Sequence, residues 1–184
     1  MNIHNQLVKQ EGNEEYYRKV FKDIAEVKKE YPFMKILFVP TNKPTLLGLE
    51  VIAVNRNIIS KTFSKSEDFL SEFSKKVYLV IPLNYTEKGC TVYGGGWINN
   101  KLVSNKSKHF YDRTTFNEYE LCVGVPNEFL NNKNVILENI KTTENMLVEY
   151  EKIMKGDATE FEGLAYSHGE EGINEFRRKK HRKK

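Results

Sequence analysis

The sequence predicts an α+β domain in which an N-terminal and a C-terminal helix pack against an antiparallel meander sheet. Three observations carry that expectation. Apolar residues recur at helical spacing near both ends of the stretch 14–156. Three short β-prone runs lie between those ends. A chain of 184 residues with 12% aromatics can bury a real core as one domain, without staples.

Over residues 14 to about 31, Tyr17, Val20, Phe21, Ile24 and Val27 recur at three- and four-residue steps with Lys and Glu between them. Tyr31-Pro32 closes that helix, because the residue before Pro avoids the helical region. Lys35–Val39 is the first strand, closed by Pro40. Leu46–Val54 is the second, entered through the turn-rich Thr41-Asn42-Lys43-Pro44-Thr45. Lys76–Leu83 is the third, around Val77-Tyr78-Leu79-Val80-Ile81. The polar segment 55–74 between the last two reads equally as a helical turn near Asp68–Phe73 or as a long hairpin arm.

From Asn84 to Glu120 the chain is expected to form a long irregular loop with Gly94-Gly95-Gly96-Trp97. Loops of that length in a compact domain are commonly functional. A final helix is expected at roughly 135–155, with Ile136, Ile140, Leu147, Tyr150 and Met154 on its buried face and Gly156 as its C-terminal cap. There is no internal repeat. Residues 1–176 are expected to form a single domain with its core at about 14–156, and 177–184 a tail.

Charge and targeting narrow the function classes. Seven of the last eight residues, Arg177 to Lys184, are Lys or Arg. The remaining 22 of the 29 basic residues face 25 acidic ones, so the basic character belongs to the tail. Such a block usually forms a solvated tail, though it could touch a polyanion. No basic face with interleaved aromatics supports a whole-protein nucleic-acid function. No apolar run approaches the ~18 residues of a membrane span, and Met1–Gln6 does not open a signal peptide. Cys90 and Cys122 could form one disulfide, but with no export signal they are expected as reduced thiols in a cytoplasm.

The chemistry centres on Glu120-Leu121-Cys122-Val123-Gly124-Val125-Pro126. Cys122 ends an apolar run just before a Gly and a Pro, where a strand opens into a loop. A nucleophilic thiol must be reachable and near a group that favours thiolate. A buried structural cysteine is an equally ready reading of position alone. His109, thirteen residues upstream, could act as base or could organise the loop.

Three rivals are weaker. A Cys–His protease needs a third group to orient its histidine, and its signatures do not appear. Cys90, His109, Cys122 and His168 lack the spacing of a zinc site. Gly94-Gly95-Gly96 has no following Lys-Ser/Thr and is no phosphate loop. Trp97 and Tyr85 read as packing aromatics. Tyr166–Gly172, with His168, reads as an ordered loop without an assigned chemistry. No cofactor or metal is expected.

Taken in order, the chain over about residues 14–156 resembles the ubiquitin-conjugating enzyme fold, and the bacterial ubiquitin-conjugating-like proteins in particular. The resemblance rests on an N-terminal helix, a meander, a third strand leading through Ile81-Pro82-Leu83-Asn84-Tyr85 into a long loop, a histidine before Leu121-Cys122, and a final helix. It implies that Cys122 forms a thioester with the C-terminus of a partner protein and passes the acyl group to an amine. His109 matches the family's loop-organising histidine. The family's His-Pro-Asn is replaced here by His109-Phe110-Tyr111, so the oxyanion-stabilising Asn is missing. Asn117, Asn127, a backbone N–H or support from Tyr111 are the substitutes to consider. The chain also resembles the stand-alone conjugating component of short type II CBASS antiphage systems. That implies a cGAS-like nucleotidyltransferase, or a ubiquitin-like modifier, as partner. A non-catalytic protein-interaction module on the same fold is the alternative.

Overall fold

The first helix forms where the periodicity places it. The structure, a computed structural model, describes residues 13–39, 45–54, 74–94, 110–115, 118–123 and 134–156. Helix α1 spans Glu14–Glu30 and buries Tyr16, Tyr17, Val20, Ile24 and Val27 along one face. Its first turn carries Glu14 and Glu15 and its last turn Lys28 and Lys29, which complements the helix dipole. The Tyr31 N–H donates to the Val27 carbonyl at 2.9 Å, and Pro32 then prevents continuation.

Strands β1 (Lys35–Val39), β2 (Leu46–Val54) and β3 (Ser74–Ile81) form an antiparallel meander. β3 starts two residues earlier and ends two earlier than the sequence predicts. Pro82 lacks the N–H that would continue the ladder. The segment 55–73 lies outside the described residues.

The stretch from Asn84 to Glu120 is not the single irregular loop the sequence predicts. It holds a short helix α2 (Tyr85–Lys88) and three more strands, β4 (Thr91–Gly94), β5 (Phe110–Thr115) and β6 (Glu118–Leu121). The sheet therefore has six strands, in the order β1-β2-β3-β4-β6-β5, with every neighbouring pair antiparallel. β5 and β6 form a hairpin with Thr115 opposite Glu118, and its register shifts between Tyr111 and Thr114. Two of these strands are four residues long, too short for alternation to stand out against the surrounding glycines.

Helix α3 spans Val135–Lys155, as expected. Asn134 caps it: its Oδ1 accepts the Leu137 N–H at 3.0 Å. Gly156 follows at φ +80°, the left-handed conformation that favours glycine. Ile136 and Ile140 are buried as expected, joined by Val135 and Met146. The side chains of Leu147, Tyr150 and Met154 lie outside the described residues.

One face of the sheet meets both helices. Leu47, Leu49, Val51 and Ala53 on β2, Val77, Leu79 and Ile81 on β3, Val92 on β4 and Leu121 on β6 share a single core with α1 and α3. The Tyr16 hydroxyl stitches helix to sheet. It donates to the Ile81 carbonyl at 2.6 Å and accepts the Leu47 N–H at 3.1 Å, on two residues that are themselves paired. Burial pushes the Tyr16 pKa up to about 12. Gly48 is required by crowding, since a Cβ there would sit 2.7 Å from the Leu79 carbonyl oxygen and 3.1 Å from Val39 Cγ2.

Candidate functional site

Cys122 stands where the sequence places it, directly after the last residue of β6. Leu121 and Val123 are buried and Cys122 between them is half-buried. Leu121 points into the helix-covered core, so the alternation turns Cys122 toward the other face of the sheet. Apolar neighbours thus anchor the chain on both sides of a half-buried cysteine.

The same face carries Glu120, Tyr93, Tyr78 and Glu50, which the sequence alone does not mark as site residues. Glu120, two residues before Cys122, lies opposite Tyr93 on β4 and Tyr111 on β5. Tyr93 lies opposite Tyr78, and Tyr78 opposite Glu50. Glu50, Tyr78, Tyr93 and Glu120 are half-buried. As β6 runs on from Leu121 to Cys122, antiparallel β4 runs back from Val92 to the half-buried Thr91. The signal was present in the alternation of Thr91-Val92-Tyr93 and of Tyr119-Glu120-Leu121. It could be used only once both runs were known to be strands.

His109, Asn117 and Asn127 lie outside the described residues, as do Trp97, His168 and the basic tail. Tyr111 has its backbone in β5. The ladder pairs Phe110, which follows His109, with Leu121, which precedes Cys122.

Cys90 has a different setting. It is buried, and no disulfide joins it to Cys122. Its N–H donates to Asn139 Oδ1 at 2.7 Å, which ties the start of β4 to α3. Burial, reinforced by the nearby Asp23 carboxylate, pushes its thiol pKa well up and keeps it protonated. It is therefore no competitor for nucleophilic chemistry. Among the described residues no group of three or more His, Cys, Asp or Glu is placed to hold a metal ion.

Beside Cys90 lies a buried polar pair. The Tyr85 hydroxyl donates to Asp23 Oδ2 at 2.6 Å. Desolvation raises the Asp23 pKa, and the hydrogen bond from Tyr85 opposes that rise. The Tyr85 pKa is also raised, by burial first and then by the bond to Asp23. Lys19 Nζ lies 5.9 Å from the Tyr85 ring centroid. Tyr85 is thus the packing aromatic that the sequence predicts, with a polar handle fixed to α1.

Compared with known protein families, with curated proteins and with solved structures, the chain finds no match. No helix among the described residues is long and apolar enough to cross a membrane.

Proposed function

We propose that the protein is a ubiquitin-conjugating-like acyl carrier that works through Cys122. The observation that carries this reading is the contrast between its two cysteines. Cys90 is sealed in the core beside an acid, whereas Cys122 sits half-exposed at a strand end, held by buried Leu121 and Val123. The helix–meander–hairpin–helix order and the α+β architecture are compatible with the resemblance in the sequence.

On this reading the Cys122 thiolate attacks the activated carboxyl carbon at the C-terminus of a partner protein. The leaving group departs through a tetrahedral intermediate and a thioester forms. An amine then attacks the same carbon. A C–N bond forms, the C–S bond breaks, and the thiolate is restored. The partner is a cGAS-like nucleotidyltransferase or a ubiquitin-like modifier, in a reducing cytoplasm where both thiols persist and in the setting of antiphage defence. His109 acts as organiser of the chain beside Cys122, in keeping with the pairing of Phe110 and Leu121. Oxyanion support falls to Asn117, Asn127 or a backbone N–H, with Tyr111 as support for the loop.

The test is covalent. Native protein incubated with the partner and its activating system is expected to form a thiol-labile adduct. Cys122→Ala is expected to abolish it, and Cys122→Ser to give a thiol-resistant ester. An adduct that survives in Cys122→Ala would sink the proposal. A Cys122 inert to thiol reagents in the native protein would favour the non-catalytic interaction module.

A further inference from the structure

The two chains that meet at Cys122 keep facing each other beyond the end of β6. Val92 lies opposite Leu121, and both are buried. One step on, Thr91 and Cys122 are both half-buried. A further step on, Cys90 and Val123 are both buried, in the same core as Val92 and Leu121. The alternation thus stays in phase on the two chains, which sets Thr91 opposite Cys122 on the face away from the helices. Side chains directly opposite on an antiparallel pair have Cβ atoms about 4.5–5.5 Å apart.

Thr91 is also firmly held. Its backbone pairs with Val80 on β3. The N–H just before it, that of Cys90, donates to Asn139 Oδ1 at 2.7 Å. A β-branched side chain is stiff at χ1, so the hydroxyl has few places to go. Among the described residues no hydrogen bond engages that hydroxyl. Glu120, on the same face of β6, is only an acceptor when ionised and cannot take the same part.

From this pairing we propose that Thr91 donates a hydrogen bond to the oxyanion that forms at Cys122. That role rests on the acyl carrier proposed above and adds a donor on the β4 side, besides Asn117, Asn127 or a backbone N–H. When the Cys122 thiolate attacks a thioester carbon, a new C–S bond forms and the carbonyl pair moves onto oxygen. The Thr91 O–H holds that oxygen without giving up its proton. The C=O bond then reforms and the donor's thiolate leaves. Discharge passes through a similar oxyanion: an amine attacks, a C–N bond forms, the C–S bond to Cys122 breaks, and the nitrogen's surplus proton goes to water. One hydroxyl serves both halves of the transfer. Removing one such preorganised donor typically slows a reaction by roughly 100- to 1,000-fold.

The test uses the full chain, a short peptide ending in a glycine benzyl thioester as acyl donor, and free lysine as the amine. Mass spectrometry follows the loading of Cys122 and its discharge. Thr91→Val keeps the shape and β-propensity of the side chain. It is expected to slow both steps by about tenfold or more, with the circular dichroism unchanged. Thr91→Ser is expected to recover most of the rate. Alkylation of Cys122 by iodoacetamide forms no oxyanion, and both variants are expected to alkylate at the wild-type rate. Loading and discharge that are equal in wild type and Thr91→Val overturn the assignment of Thr91 and leave the acyl carrier standing. Alkylation slowed as much as acyl transfer overturns it too, since the hydroxyl then acts on the thiol or on the local fold. A wild-type chain that takes no acyl group at Cys122 overturns the acyl carrier itself, and the role of Thr91 with it.

Discussion

Replacing Tyr85 with Phe removes one atom from the core and isolates a carboxylate. The lost interaction is the 2.6 Å bond from the Tyr85 hydroxyl to Asp23 Oδ2, with Asp23 only 7% exposed. A hydrogen bond to a charged group contributes about 1.5–3 kcal/mol, and a buried acceptor left without its donor costs a similar amount. A loss of about 2 kcal/mol is expected, or roughly 4–8 °C in Tm for a chain of this size. Desolvation already raises the Asp23 pKa, so the folded state holds that proton more tightly than the unfolded chain does. Its contribution is favourable in acid and is lost as pH rises through the folded value. The hydroxyl opposes this rise, and without it the pKa climbs further. The deficit of Tyr85→Phe is therefore smallest in acid and grows toward neutrality. Urea unfolding of wild type and variant at about pH 5 and about pH 8 reads both quantities. A deficit below about 0.5 kcal/mol at pH 8, or one that is larger at pH 5, would refute the reasoning.

Three further outcomes are expected. Tyr16→Phe leaves the Leu47 N–H without its 3.1 Å acceptor and frees the Ile81 carbonyl, so a loss of about 2 kcal/mol is expected in denaturant unfolding; an unchanged midpoint would contradict it. Gly48→Ala drives a methyl against the Leu79 carbonyl oxygen and is expected to destabilise by about 1–3 kcal/mol, although alanine stabilises open glycine sites; a raised Tm would show that the sheet yields there. Under native conditions a thiol reagent is expected to label one cysteine per chain, Cys122, with Cys90 reacting only on unfolding. Native labelling that persists in Cys122→Ser would reverse the assignment of the two thiols.

Long elements with repeated spacing could be read from the sequence, and short ones could not. α1 and α3 each run for four turns or more, so their apolar steps repeat often enough to fix both place and face. β1 and β2 were bounded by Pro and Asn, and β3 was found within two residues at each end. β4 and β6 are single four-residue strands, β4 running into Gly94-Gly95-Gly96, and β5 carries a register shift, so the hairpin that completes the sheet was hidden. The same limit governs the site. Cys122 at a strand end was legible from Gly124 and Pro126 behind it. Glu120, Tyr93 and Tyr78 were not, because they become neighbours through cross-strand register, which no local pattern specifies. Asn139 could not be foreseen either. Its Oδ1 holds the Cys90 N–H, while its Nδ2 is buried without a hydrogen-bond partner among the described residues.

Asn134 has a bearing on how the chain is made. Its Oδ1 begins α3, while its Nδ2 donates to the Asp23 carbonyl at 2.8 Å and to Glu26 Oε2 at 3.2 Å, more than a hundred residues back along the chain. The start of the last helix is thereby fixed to the middle of the first. During synthesis α1 emerges early, but the core that covers its apolar face closes only after α3 has left the ribosome. Until then Tyr17, Val20 and Ile24 lack the neighbours they have in the finished core, and nearly the whole domain must be exported before folding can become cooperative.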